Sequence, residues 1–88
     1  MEDSAENVQR DFGPQPLDRF LEEYGLSNRD LVEASTEQLT HKQVQRARKG
    51  RRLTRNMQEK VARAYAAALV EKGMEAVASP DQLFTYRP

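Results

Sequence analysis

The 88-residue sequence contains no cysteine, and its apolar residues are sparse. Without thiols the chain can form neither a disulfide framework nor a thiolate metal site, so its stability has to come from packing. No window approaches the ~20 consecutive apolar residues of a membrane span. The acidic N-terminus also lacks the basic and apolar segments of a signal peptide. We therefore expect one small cytoplasmic domain with a modest core and no membrane association.

The residue sets that usually carry catalysis are also missing. There is a single histidine, with no glycine-rich loop to hold phosphate and no recognisable pairing of a nucleophile with a base. A very small helical domain offers little room for a dry pocket. We expect a protein that is not an enzyme and that uses no cofactor and no metal.

Charge is distributed unevenly along the chain, although the net charge is zero. Residues 1–39 contain three basic and ten acidic side chains, whereas residues 40–55 contain seven basic side chains and no acidic one. The remainder is balanced. Such a run is often only a solvated surface, but in a neutral chain it also suits a polyanion bound to one face.

Apolar spacing and capping residues predict the first two helices. A stripe of apolar side chains predicts a helix over residues 16–24, which Gly25 ends in a left-handed conformation. Ser27 and Asp30 have the spacing of a capping box, so a short second helix should begin there and end near Ser35.

The third predicted helix, residues 41–49, is mostly polar. Thr40 and Gln43 form a second capping box, and Gly50 ends the helix. Only two apolar side chains of this helix, three residues apart, can face inward, so most of its surface is exposed. Across the chain we expect six side chains in the core: Phe20, Leu31, Val44, Ala47, Val61 and Tyr65.

A long fourth helix is predicted from Thr54, its cap, to Gly73. Residues 74–78 could add one further turn before Pro80 breaks the helix. The fold class is therefore all-α, a small bundle of four or five helices.

We divide the chain into a disordered acidic start (1–13), a helical domain (14–78) and a C-terminal tail (79–88). The tail contains three large apolar residues, and binding to a partner or a dimer mate and fraying both remain open for it. These residues are Leu83, Phe84 and Tyr86.

Two short helices joined by a tight turn, the second with a polar outer face, have the shape that fits a DNA major groove ~12 Å wide. The stretch from Leu17 to Leu69 resembles the lambda-repressor and Cro-like helix-turn-helix family, also called the xenobiotic-response-element (XRE) family. The segment 25–34 (GLSNRDLVEA) is similar to the glycine, cap and second helix of that family. Segment 39–50 (LTHKQVQRARKG) is similar to its recognition helix.

The sequence departs from the family pattern in two places. The link between Ala34 and Thr40 is about two residues longer than usual and lacks the customary turn glycine. Arg48 replaces a typical acid, so we expect an internal salt bridge to be lost and positive charge to be added on the side that meets phosphate.

The resemblance implies that His41, Lys42 and Arg46 contact bases. The chemistry agrees, because Arg46 can pair bidentately with guanine, Lys42 can donate to guanine acceptors, and Gln45 can pair with adenine. Phosphate contacts are expected from nine residues: two in the second helix, four in the third helix and its cap, the two arginines of the loop after it, and Arg55 at the start of the fourth helix. They are Asn28, Arg29, Thr40, Gln43, Arg48, Lys49, Arg51, Arg52 and Arg55.

By this resemblance we expect a transcriptional regulator that binds double-stranded DNA as a homodimer on an inverted repeat, with half-sites ~34 Å apart or a multiple of that. The alternative is a protein-interaction module, such as an antitoxin or adaptor, that uses the same fold and offers its tail to a protein partner. Structured RNA ranks last, because the third helix carries no aromatic side chains for stacking.

Overall fold

The computed structural model describes residues 11–76 and 78–88, which form five helices. Within these ranges the only strand-like pairing is an isolated antiparallel bridge between Asp11 and Arg51. The all-α class is confirmed, and the four longer helices lie close to their predicted bounds. The helices are α1 (Pro16–Glu23), α2 (Asn28–Ala34), α3 (His41–Lys49), α4 (Arg55–Glu71) and α5 (Pro80–Leu83).

The predicted capping boxes are both present. The Ser27 hydroxyl accepts from the backbone N–H of Asp30, whose carboxylate accepts from the Ser27 N–H at 2.7 Å. Thr40 and Gln43 make the same reciprocal pair at the start of α3. These bonds satisfy amide groups that a helix start leaves unpaired, which explains why α2 and α3 begin where they do.

The core lies where the helices meet. α2 packs along α4 and against α3, while α1 lies between α3 and α5. Five of the six predicted core side chains are buried, and the sixth, Phe20, is half-buried with its ring 6.4 Å from that of Tyr65. Within the described ranges, no helix combines the length and the apolarity that crossing a bilayer requires.

The C-terminal tail is part of this core. Pro80 begins α5 instead of breaking a helix, because the fixed φ of proline suits a first helical turn. Residues 74–76 are not helical, so the extra turn considered for that segment is wrong there. The three apolar tail residues are at most 8 % exposed, and they are Leu83, Phe84 and Tyr86.

Both ends of the described chain hold the connection between α3 and α4. The Tyr86 hydroxyl donates to the Arg51 carbonyl at 3.0 Å and accepts from the Leu53 N–H at 2.9 Å. Its ring stacks on Phe12 with the centroids 4.1 Å apart. Phe12 in turn donates its N–H to the Gly50 carbonyl at 2.8 Å. Of the start predicted to be disordered, residues 11–13 therefore contact the end of α3, and residues 1–10 lie outside the described residues.

Two buried glutamines join the same elements. Gln15 donates to the Gly13 carbonyl at 2.9 Å, and its Oε1 accepts from the N–H of Thr85 at 2.7 Å. Gln58 donates to the Tyr86 carbonyl at 3.3 Å. Because buried amides are costly unless they are hydrogen-bonded, these contacts specify how the tail lies on the bundle.

Candidate nucleic-acid interface

The link between α2 and α3 is held by side chains instead of a turn glycine. The Ser35 hydroxyl donates to the Glu37 carbonyl at 2.7 Å and accepts from its N–H at 3.1 Å. The Glu37 carboxylate accepts two 2.7 Å bonds from Arg63 on α4, and Lys60 donates to the Gln38 carbonyl. The longer link is therefore fastened to α4, which supports the angle between α2 and α3.

α3 has a buried side and an exposed side. Val44 and Ala47 are fully buried, and Leu39, placed before the helix as a staple for Val44, lies in the same core. The opposite side carries exposed polar and basic side chains at helical spacing. The structure brings together on this face all four residues predicted to contact bases, with Lys49 one turn further on: His41, Lys42, Gln45 and Arg46.

Five basic side chains of this region are exposed and make no ion pair with any residue in the described ranges. Three belong to α3 and two to the loop that follows it, and no acidic residue lies between residues 40 and 55. Within the described ranges no ion pair therefore neutralises these side chains. The five are Lys42, Arg46, Lys49, Arg51 and Arg52, and we call them the basic face.

Other predicted phosphate contacts are engaged within the protein. Arg29 pairs with Glu33 at 2.6 Å, and this carboxylate raises the pKa of the Arg29 guanidinium. Arg55 pairs with Asp81 at 3.3 Å and Glu59 at 3.7 Å. The Thr40 and Gln43 side chains make the capping box already described. Because exposed ion pairs are weak, Arg29 and Arg55 can exchange these partners for phosphate at little cost.

Arg48 corrects the sequence interpretation. Its Nε donates to Asp18 Oδ1 of α1 at 2.5 Å, and its Nη1 donates to Asn28 Oδ1 of α2 at 2.7 Å. The side chain of Arg48 is only 18 % exposed. The expected loss of an internal salt bridge is therefore wrong, because Arg48 forms one with Asp18. This inward position does not favour the predicted phosphate contact.

A separate groove lies between α1, α4 and α5. It has a volume of about 290 Å³ and an aromatic lining that includes Phe20, Tyr24 and Tyr65. Burial raises the pKa of the Tyr65 hydroxyl. Tyr24 and, near the end of α4, Val70 are the large apolar side chains that stand exposed among the described residues.

Metal-ligating groups are not gathered anywhere in the part of the chain that the structure describes. Comparison of the chain with models of protein families, with curated proteins and with solved structures found no match.

Proposed function

We propose that this protein is a DNA-binding transcriptional regulator of the lambda-repressor and Cro-like, or XRE, kind, with α3 lying in the major groove. The observation that carries the proposal is the basic face. Its side chains extend from a capped, outward-facing helix and from the loop after it, and no acidic residue lies between residues 40 and 55. An α-helix of this kind fits the major groove of B-DNA, and its unpaired cations supply the attraction to phosphate.

In this proposal the start and middle of α3 contact bases, and the end of α3 and the following loop contact phosphates. Arg46 and Lys42 extend from the middle and the start of the helix, and both can donate to guanine acceptors, with His41 beside them. Lys49, Arg51 and Arg52 follow at the end of the helix and in the loop, where they can bind phosphate. Each phosphate neutralised in this way releases counterions, so binding should weaken steeply as salt is raised.

We further propose that two copies bind an inverted repeat, because a two-fold dimer matches the symmetry of such a site. The tail side chains predicted for this contact are buried in the chain's own core. We therefore assign the dimer contact to the groove between α1, α4 and α5, together with Val70 near the end of α4.

That groove is also what favours the second candidate, a protein-interaction module. An exposed Tyr24 beside an aromatic-lined groove is the sort of surface that a protein partner covers. In this alternative the partner covers the groove and the basic face has no role in binding.

The test is selection of duplexes from a random DNA pool, followed by sequencing, at two salt concentrations. Arg46→Ala removes a charge from the basic face, and Arg87→Ala removes the same charge from the exposed C-terminal tail, where Asp81 already neutralises it. The proposal predicts an enriched palindromic motif that is lost with Arg46→Ala, kept with Arg87→Ala and weakened by salt. Absence of enrichment for the unaltered protein contradicts it and favours the protein-partner candidate.

Deleting the tail would not separate these two functions. Residues 80–88 supply three buried apolar side chains and the hydroxyl bonds of Tyr86. Their removal would unfold the domain whichever function it has, so point substitutions are required.

A further inference from the structure

One hydrogen-bonded network joins α1, α2 and α3 and ends at the exposed face of α3. It begins at Asp18, which accepts from Arg48 at 2.5 Å, and Arg48 also donates to Asn28 Oδ1 at 2.7 Å. The Nδ2 amino group of Asn28 then donates to Gln45 Oε1 at 2.9 Å. Gln45 is exposed on α3, beside Arg46.

The chemistry of Arg48 decides the orientation of both amides in this network. A guanidinium only donates hydrogen bonds, so Asn28 has to meet Arg48 with its oxygen. The amino group of Asn28 is thereby directed at Gln45, which has to accept this hydrogen bond with its side-chain oxygen. Within the described residues the amino group of Gln45 has no hydrogen-bond acceptor, and it is the part of the side chain left for a ligand.

We infer that Asn28 is a specificity-determining residue, which acts by turning the amino group of Gln45 toward the base edges. This inference rests on the proposed function, because it requires α3 to lie in the major groove. An amino group can donate to guanine O6 or N7 but cannot accept from the amino group of cytosine. Gln45 therefore favours guanine over cytosine at the base it faces. A bidentate adenine contact requires the same Gln45 oxygen that already accepts from Asn28.

This role differs from the phosphate contact that the sequence predicts for Asn28. The side chain is half-buried, and its oxygen and its amino group are both bonded to other side chains. Asn28 is thus a positioning residue that acts through Gln45. Its effect should be seen in the choice of base at one position more than in overall affinity.

Asn28→Asp tests the inference because it changes hydrogen-bond polarity with almost no change in shape, while the negative charge that it adds weakens binding to all sequences alike. Aspartate accepts only, so Gln45 has to turn its amino group inward and its oxygen outward. The outward oxygen can accept from the amino group of cytosine. Random-duplex selection identifies the position read by Gln45 as the one at which Gln45→Ala loses its base preference.

At that position we expect the unaltered protein to favour guanine over cytosine about tenfold, as a single good base contact allows. Asn28→Asp should reverse the preference toward cytosine, and Asn28→Ala, which frees both orientations, should flatten it. In a Gln45→Ala background Asn28→Asp should leave the choice of base unchanged. Thermal unfolding by circular dichroism establishes that each variant is folded.

The outcomes separate this inference from the proposed function. A motif for the unaltered protein together with an unchanged base preference in Asn28→Asp overturns the role of Asn28 and leaves DNA binding in place. The same holds if Asn28→Ala, which changes no charge, lowers affinity equally for all sequences, because that result would indicate a phosphate contact. Absence of any motif for the unaltered protein overturns the proposed function and this inference together.

Discussion

Gly50, which ends α3, lies directly against the backbone of Gly13. Its φ of 90° is in the left-handed region, and a Cβ on Gly50 would come within 1.8 Å of the Gly13 carbonyl oxygen. Phe12 bonds to the Gly50 carbonyl next to this contact. The absence of a side chain at Gly50 thus allows the start of the described chain to pack on the end of α3.

We expect Gly50→Ala to lower the free energy of unfolding by about 3 kcal/mol, because left-handed strain of ~1–2 kcal/mol adds to ~1–3 kcal/mol of overpacking. Gly73→Ala is the matched control, since Gly73 has a φ of 83° with open space around it, and it should show the strain alone. Urea unfolding measures both. Equal losses for the two variants would show that the Gly13 contact has no importance for stability.

The bond between Arg48 and Asp18 should contribute measurably to stability. Their side chains are 18 % and 33 % exposed, so the pair lies between a surface and a buried ion pair. Arg48→Met keeps the aliphatic stem and should cost about 1–2 kcal/mol, between the ranges for those two classes. Arg29→Met, which breaks the exposed pair with Glu33, should cost less than about 0.5 kcal/mol. Urea unfolding of both variants checks this, and a cost for Arg48→Met no larger than for Arg29→Met would contradict it.

We expect the two hydrogen bonds between the Tyr86 hydroxyl and the loop after α3 to stabilise the fold. Tyr86→Phe leaves the Leu53 N–H and the Arg51 carbonyl without this partner and should cost about 1–3 kcal/mol. Tyr24→Phe removes a hydroxyl from an exposed ring and should change stability by less than about 0.5 kcal/mol. Thermal unfolding compares the two. A negligible loss for Tyr86→Phe would mean that the tail is held by its apolar contacts alone.

Acid should destabilise the fold through two carboxylates. The backbone N–H of Ser27 lowers the pKa of Asp30, and the hydrogen bonds from Arg63 lower the pKa of Glu37. A carboxyl with a lowered pKa in the folded state stabilises it above the unfolded-state pKa, and this stabilisation is lost as the pH falls through the folded-state value. We expect carboxyl-carbon NMR titrations to give midpoints below the ordinary values for both groups. Arg63→Met should return Glu37 to its ordinary range and leave Asp30 unchanged; a Glu37 midpoint that did not move would contradict this cause.

The sequence is sufficient for the parts of the fold that local interactions determine. In each capping box of α2 and α3 the two residues are three positions apart, and each left-handed glycine that follows a helix lies close to the end of that helix. Spacing alone therefore reveals these features. The exposed side of α3 follows in the same way, since Val44 and Ala47 mark its buried side.

The remainder depends on contacts between residues distant in sequence. Thr85 bonds to Gln15 across 70 residues, and Arg48 bonds to Asp18 across 30. No helical spacing connects such residues, so the sequence predicts a separate tail and an outward-facing Arg48. The network that orients Gln45 could not be predicted for the same reason.

The most direct measurement of the central claim is an NMR titration of the isotope-labelled protein with a short random-sequence duplex at low salt, following every backbone amide. We predict that the shifted amides cluster over residues 41–52 and the start of α2, and that added salt reverses the shifts. Shifts centred instead on the groove between α1, α4 and α5, or no shifts at all, would contradict the claim that α3 binds DNA.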